Sequence, residues 1–346
     1  MTATVPKIRF RDAQIEMAHG AGGKASRRLV EGLFVPLLCD VSPGALGDAA
    51  YVQMNGTRLA ITTDSFVVKP LRFPGGSIGE LAVNGTVNDL AVSGARAETL
   101  VVTFVLEAGL PTEILEFEVR AMAAAARRAG VVIAGGDTKV VEHGKADHMY
   151  ISSCGIGRLI EGVQVSPQSV RRGDRVLLSG PIGDHGITIL LARGELDMEA
   201  QICSDTRSVL PLVEAMAAAA PGAIHWMRDP TRGGVATSLN ELARDCGLGI
   251  CLAEEKIPIR DTVRGACELL GLEPMHIANE GQFLAVVAAD AADAALDALQ
   301  AAPGGEAAAI IGEVRAQPAG TVLVSTLYGG TRVIDMLVGD PLPRIC

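Results

Sequence analysis

The chain has 346 residues and a formal net charge of −10, a balance that repels polyanions and argues against nucleic-acid partners, whose binding rests on Lys and Arg displacing counterions. Its 49% hydrophobic content is swollen by alanine and valine, and apolar runs such as 122–126 and 215–220 stop well short of the roughly 20 residues of a membrane span. Charges run throughout residues 1–18 where a secretory leader would be apolar, so a cytoplasmic globular protein of two domains is expected.

In chain order, residues 59–63 read as a β-branched strand ending on Asp64. Residues 77–95 read as a helix opened by a capping box, with Ser77 as N-cap and Glu80 as its acid, and this helix sets Asn84 and Asn88 on one face. A strand over 101–106 precedes a helix over 111–129 that Gly130 should cap. Residues 131–134 read as a short buried strand running into a turn at Gly135, Gly136, Asp137 and Thr138, and 150–158 as a further strand. The polar stretch 166–174 is the expected domain boundary. Beyond it come strands near 175–178, 249–253, 283–288 and 307–311, with helices near 184–193, 205–219, 234–245, 261–270 and 290–301. The expectation is a mixed α and β (α+β) fold: an N-terminal domain over 1–165, a C-terminal α/β domain over 166–338 and a tail over 339–346. That tail, GDPLPRIC, cannot extend a helix or a central strand; it should be mobile or extended, with a reach of roughly 26 Å.

Acidic residues recur at expected strand ends and glycine turns: Asp48, Asp64, Asp89, Asp137 and Asp229. Oxygen ligands of this kind suit magnesium, which takes one or two carboxylates together with nucleotide phosphates, although any single Asp serves equally well as a turn or cap residue. Gly22 and Gly23 ahead of Lys24 would let backbone N–H groups approach phosphate, yet Ala18 and Ala25 stand where a Walker A loop needs Gly and Ser or Thr. Gly233 and Gly234 offer a second anion cradle at a helix N-terminus. The seven cysteines contain no C-x-x-C pair, so neither a disulfide framework nor a zinc site is indicated. Cys346, behind a proline-stiffened segment, is placed as a carrier thiol would be rather than as a core residue.

The segments HGAGGKA (19–25), LGDAA (46–50), TTDSFVVKPLRFPGGSIGELAVNGTVNDLAVSGA (62–95), GGDTKVV (135–141), DPTRGGVATSLNELA (229–243), ANEGQF (278–283) and PRIC (343–346) together carry a resemblance. They resemble the superfamily of aminoimidazole ribonucleotide synthetase, selenophosphate synthetase and thiamine-phosphate kinase, and within it the HypE hydrogenase expression/formation family of carbamoyl dehydratases. The resemblance runs over nearly the whole chain.

It implies an N-terminal sheet that pairs with a second copy to form a homodimer, ATP near that interface, and a C-terminal domain covering the nucleotide. Asp48, Asp64, Asp89 and Asp229 would surround Mg2+ and the phosphates, with Asn88, Gly135, Gly136, Asp137 and Thr138 beside the nucleotide and Gly22, Gly23 and Lys24 holding phosphate. It also implies a carbamoyl group loaded on Cys346 by the carbamoyltransferase HypF, its ATP-driven dehydration to a nitrile, and a HypC–HypD complex that accepts the cyanide for a [NiFe]-hydrogenase iron. Glu280 is favoured as base and Lys139 as electrostatic stabiliser, with His19 and His276 as further candidates. Two alternatives remain: another ATP-dependent synthetase or kinase of the superfamily, against which PRIC argues, and a non-catalytic nucleotide-binding scaffold, against which the full acidic set argues.

Overall fold

The computed structural model describes residues 9–38, 46–194, 200–339, 342 and 344–346. Helices α1 (Lys24–Leu29) and α2 (Val35–Leu38) are joined through one wider turn over Val30–Phe34. Then follow β1 (Ala50–Met54), β2 (Thr57–Phe66), the small hairpin β3 (Arg72–Phe73) and β4 (Gly76–Ser77), α3 (Ile78–Val92), β5 (Ala95–Glu107), α4 (Thr112–Ala129), β6 (Val132–Val141) and β7 (Met149–Leu159). The second half runs β8 (Arg175–Leu178), α5 (Asp184–Ala192), α6 (Leu210–Ala219), β9 (Ile224–Arg228), α7 (Gly234–Cys246), β10 (Gly249–Ala253), α8 (Asp261–Leu270), β11 (Leu284–Val287), α9 (Ala292–Ala301), β12 (Ala309–Arg315), β13 (Val322–Ser325) and β14 (Thr331–Ile334). The mixed α and β class is as the sequence indicates.

The first sheet has the order β1-β2-β7-β5-β6, antiparallel except for the parallel pair β5 and β6. Its strands alternate: on β7, Met149, Ile151 and Ser153 point into the core, while Tyr150, Ser152 and Cys154 face outward and are only partly covered. The inner face packs on α3, which is buried almost throughout because its apolar and small residues are spread around the helix. Gly79 permits the close approach of α4, since a Cβ there would stand 2.2 Å from the Glu118 carbonyl oxygen. The outer face leaves Val101 and Ile156 exposed, and the edge strand β6 adds Val132 and Val140.

The second sheet has the order β14-β13-β10-β12-β8-β11-β9, with only β10 and β13 parallel. All four residues of β11 are buried. The two sheets occupy 50–159 and 175–334, with 166–174 between them.

Several local expectations are corrected. Residues 135–138 form no turn: they lie within β6, an exposed edge strand rather than a buried one, held by parallel pairing of Gly135 to Val101 and Thr138 to Phe104. Asp64 lies inside β2, which runs on to Phe66. Ser77 is the N-cap of α3, but its side chain makes no cap hydrogen bond, and Glu80 pairs instead with Arg128. Residues 205–209 belong to no helix, and α6 starts at Leu210.

Leu342 and Ile345 of the C-terminal segment are buried. Val67 N–H donates to the Cys346 carbonyl oxygen at 2.8 Å and Lys69 N–H to that of Arg344 at 3.3 Å, the register of an antiparallel strand pair. Pro341, Pro343 and Cys39 lie outside the described residues.

Candidate active site

The acids nominated from sequence converge from distant points of the chain. Asp48 precedes β1, Asp89 sits on α3 and Asp229 follows β9, yet carboxylate oxygens of all three lie within 4.8 Å of one another. Crowding and burial oppose ionisation. Desolvation first, and then Arg228 against Glu241 and Asp64, leave Asp48 pushed up to about 6. Asp89 and Asp229 are raised well above the carboxylate range, mainly by burial and then by each other's neighbourhood of negative charge. Burial also raises Asp64, against a lowering by Arg232.

Hydrogen bonding at Asp89 works against its rise. Thr62 Oγ1 contacts the Asp48 carbonyl oxygen at 2.7 Å and Asp89 Oδ2 at 2.8 Å. The hydroxyl donates to the Asp89 carboxylate, a hydrogen bond that favours the ionised form against the larger effect of burial. Three close carboxylates with so little opposing charge make a donor set suited to a hard divalent cation, which would lower all of these pKa values together.

Glu280 lies on the loop before β11 and is buried, and Oε1 has no hydrogen-bond partner among the described residues. Burial, then Asp229, Asp64 and Asp205, raise it well above its ordinary range, with Arg232 opposing. Its surroundings therefore favour the protonated form, and positive charge brought close to it would favour the carboxylate. Its loop is stitched in place: Asp205 accepts from Glu280 N–H at 3.0 Å and Gly281 N–H at 3.2 Å, and Asn279 Nδ2 donates to the Pro230 carbonyl at 2.9 Å. Asn88 Nδ2 donates to the Glu280 and Arg207 carbonyls at 3.1 and 2.9 Å, so this residue braces the loop.

Cys346, Ile345 and Val67 line a cavity of about 500 Å³ together with Gly20, Ala21 and Arg232. Arg232 Nη1 donates to the Gly20 carbonyl at 2.7 Å, fixing the N-terminal arm beside the thiol. The same arginine opposes the charge of Asp64 and Glu280, so one side chain connects the cavity of Cys346 with the acids.

Other nominated residues lie elsewhere. Lys24 Nζ is 2.5 Å from Asp335, while Gly22 and Gly23 press against Arg232 and the Leu337 carbonyl, where an added Cβ would come to 2.8 and 2.3 Å. Gly135, Gly136, Asp137, Thr138 and Lys139 lie on β6, three strands from Asp64, about 14 Å at ordinary strand spacing. Lys139 is 67% exposed, with Nζ 2.6 Å from Asp137. His19 binds Asp12 at 2.8 Å, and His276 meets the Asp335 carbonyl at 2.9 Å, both structural contacts. Sequence reading missed Arg228 (2.9 Å from Asp48), Asp205 and His185. The dense DPTRGG segment pointed toward Arg228, but nothing local marked the other two.

The fold and site define a class. The family models for AIR synthase related proteins match here, the N-terminal domain over residues 46–159 and the C-terminal domain over 171–325. A carbamoyl dehydratase HypE of Azotobacter vinelandii is 48% identical over 340 residues, covering 98% of this chain and 99% of the relative. A crystal structure of a HypE–HypF complex superposes with a TM-score of 0.84 at 44% identity over 89% of this chain and 99% of that one. A hydrogenase maturation protein HypE in complex with ATP gives 0.80 at 44% identity over 96% and 100%. The chain belongs to the HypE carbamoyl dehydratase family, enzymes of hydrogenase maturation.

Proposed function

We propose that the chain dehydrates a carbamoyl group carried on its own Cys346 to a nitrile at the expense of ATP, supplying cyanide to a hydrogenase iron. The observation that carries this reading is the shared cavity: Cys346 lies with Arg232, whose charge faces Asp64 and Glu280. The relative crystallised with ATP supports nucleotide binding, and the HypE–HypF complex supports HypF as the source of the carbamoyl group. A HypC–HypD complex is the proposed acceptor.

Hydroxide is a poor leaving group, so the carbamoyl oxygen has to be converted before it can depart. Transfer of the γ-phosphoryl group to that oxygen lets it leave as phosphate; loss of two N–H protons completes C≡N on sulfur, with ADP and phosphate as the other products. Asp48, Asp89 and Asp229 would hold Mg2+, which offsets charge on the transferring group when bound. Asp64 and Arg232 flank that position, and the cation's charge would favour ionisation of Glu280, allowing it to accept a proton from nitrogen. Gly22, Gly23 and Lys24 stay the proposed phosphate contacts of the arm, as Asn88 and residues 135–138 do for the nucleotide.

Lys139 does not meet the acids within one chain. We propose a homodimer formed through the outer face and edge of the first sheet, carrying β6 of one copy toward the site of the other. The domain division at 166 and a tail that leaves its seat to be loaded belong to the same reading.

The test is mass spectrometry of the C-terminal peptide after supply of carbamoyl phosphate, the carbamoyltransferase, ATP and magnesium. A carbamoyl gain followed by loss of water is expected, and a carbamoyl group that never loses water would refute the proposal. Cys346→Ala should still bind nucleotide but form no nitrile.

A further inference from the structure

We infer that His185 and Arg193 form a latch that seats the tail, and that the latch sets loading of Cys346 against dehydration, His185 acting as a positioning residue for the reaction proposed above. His185 is fully buried on α5, between the tail and the 200–209 segment. Its Nε2 lies 2.9 Å from the Ile345 carbonyl oxygen and its Nδ1 2.8 Å from Ser204 Oγ. The carbonyl can only accept, so Nε2 carries the proton and Nδ1 accepts from the serine hydroxyl. Ser204 Oγ in turn accepts from Thr206 N–H at 3.1 Å, which fixes that direction. Phe73 meets the ring edge-on at 5.6 Å and closes the pocket.

The far side of the seat is built from Arg193. Its Nη2 donates to the Arg344 carbonyl at 3.0 Å and its Nε to the Lys69 carbonyl at 3.1 Å, clamping the tail to the segment it pairs with. Carbonyls 344 and 345 are thus held from α5, and carbonyls 344 and 346 from the backbone of 69 and 67. Every one of these contacts is to the tail's main chain. Such a seat positions the sulfur through the backbone that carries it. The chain Ile345, His185, Ser204, Thr206 also leads to Asp205, the residue that holds the Glu280 loop, so tail seat and Glu280 share one support.

Loading from another protein needs the tail off this seat, and dehydration needs it on. Loosening the latch should therefore move the two steps in opposite directions, whereas a merely structural histidine would slow both or neither. His185→Phe removes the donor, His185→Gln keeps an N–H for the Ile345 carbonyl, and Arg193→Ala tests the clamp without disturbing the core. The direct readout on the full chain is the rate of Cys346 alkylation by iodoacetamide, followed on the C-terminal peptide. His185→Phe and Arg193→Ala should raise it roughly tenfold, about the worth of one lost hydrogen bond, speed carbamoyl loading and slow water loss by a similar factor. His185→Gln should stay near the parent. Unchanged alkylation in both His185→Phe and Arg193→Ala, or a glutamine variant indistinguishable from phenylalanine, overturns the latch. A parent chain with a protected tail that never loses water sinks the proposed function instead, so the two failures are told apart.

Discussion

Arg228 Nε sits 2.9 Å from an oxygen of Asp48, one guanidinium set against carboxylates that crowd within 4.8 Å of each other. The imbalance stores repulsion in the fold.

Its pH signature follows. Asp48 is raised from 3.8 to about 6 on folding, so its contribution favours the fold at low pH and is lost as pH rises through about 6. At pH 8 without divalent metal, Asp48→Asn should be more stable than the parent by about 2 kcal/mol, and the gap should close toward pH 4. Excess magnesium should reverse the order, because it binds the parent's folded state more tightly. Thermal melts with EDTA and with magnesium measure both; an asparagine variant that melts lower at pH 8 in EDTA would contradict the charge assignment.

Activity should move the other way. Asp89→Asn and Asp229→Asn each remove one oxygen ligand, so ATP-driven loss of water should fall by about a hundredfold or more, while HypF-dependent loading of Cys346 persists. The same peptide mass spectra report the two steps separately.

Glu280→Gln replaces a buried carboxyl, whose ionisation its surroundings oppose, by a neutral amide of the same shape. Melting temperature should hold or rise, yet dehydration should drop by about two orders of magnitude if this group takes the proton. A variant that melts far lower would place Glu280 among purely structural residues.

Val140→Lys puts a charge on the edge strand β6, whose other end carries the exposed Val132. Sedimentation should show the parent as a dimer and this variant as a monomer with weaker ATP binding. A parent that sediments as a monomer at working concentration would remove the second copy from the reading.

Much of the fold was legible because its signals are local. The α8 helix over 261–270 and the α4 helix closed by left-handed Gly130 have their apolar spacing and caps in contiguous sequence. The start of β6 was legible but its continuation was not: Gly135, Gly136 and Asp137 have turn chemistry, and only pairing with β5 holds them extended, with Gly136 packed so closely that a Cβ would lie 1.9 Å from the Val102 carbonyl oxygen. Strands β9, β13 and β14 are only four or five residues long and take their character from neighbouring strands. Within the site, acids in dense motifs could be nominated one by one. Asp205 and His185 could not, since their roles arise from contacts 75 and 160 positions away.

One turn of α3 has a mechanical meaning. Asn88 grips the Glu280 loop and the start of α6, through Glu280 and Arg207 carbonyls and Val209 N–H, while the next residue, Asp89, faces Thr62 and the other acids. A buried helix thus acts as a fixed spacer between the cation position and Glu280, and a hinge opening there would have to tear both sets of bonds at once. Catalytic geometry is thereby insulated from breathing of the two halves, and under the proposed function the part that travels during turnover is the substrate arm alone.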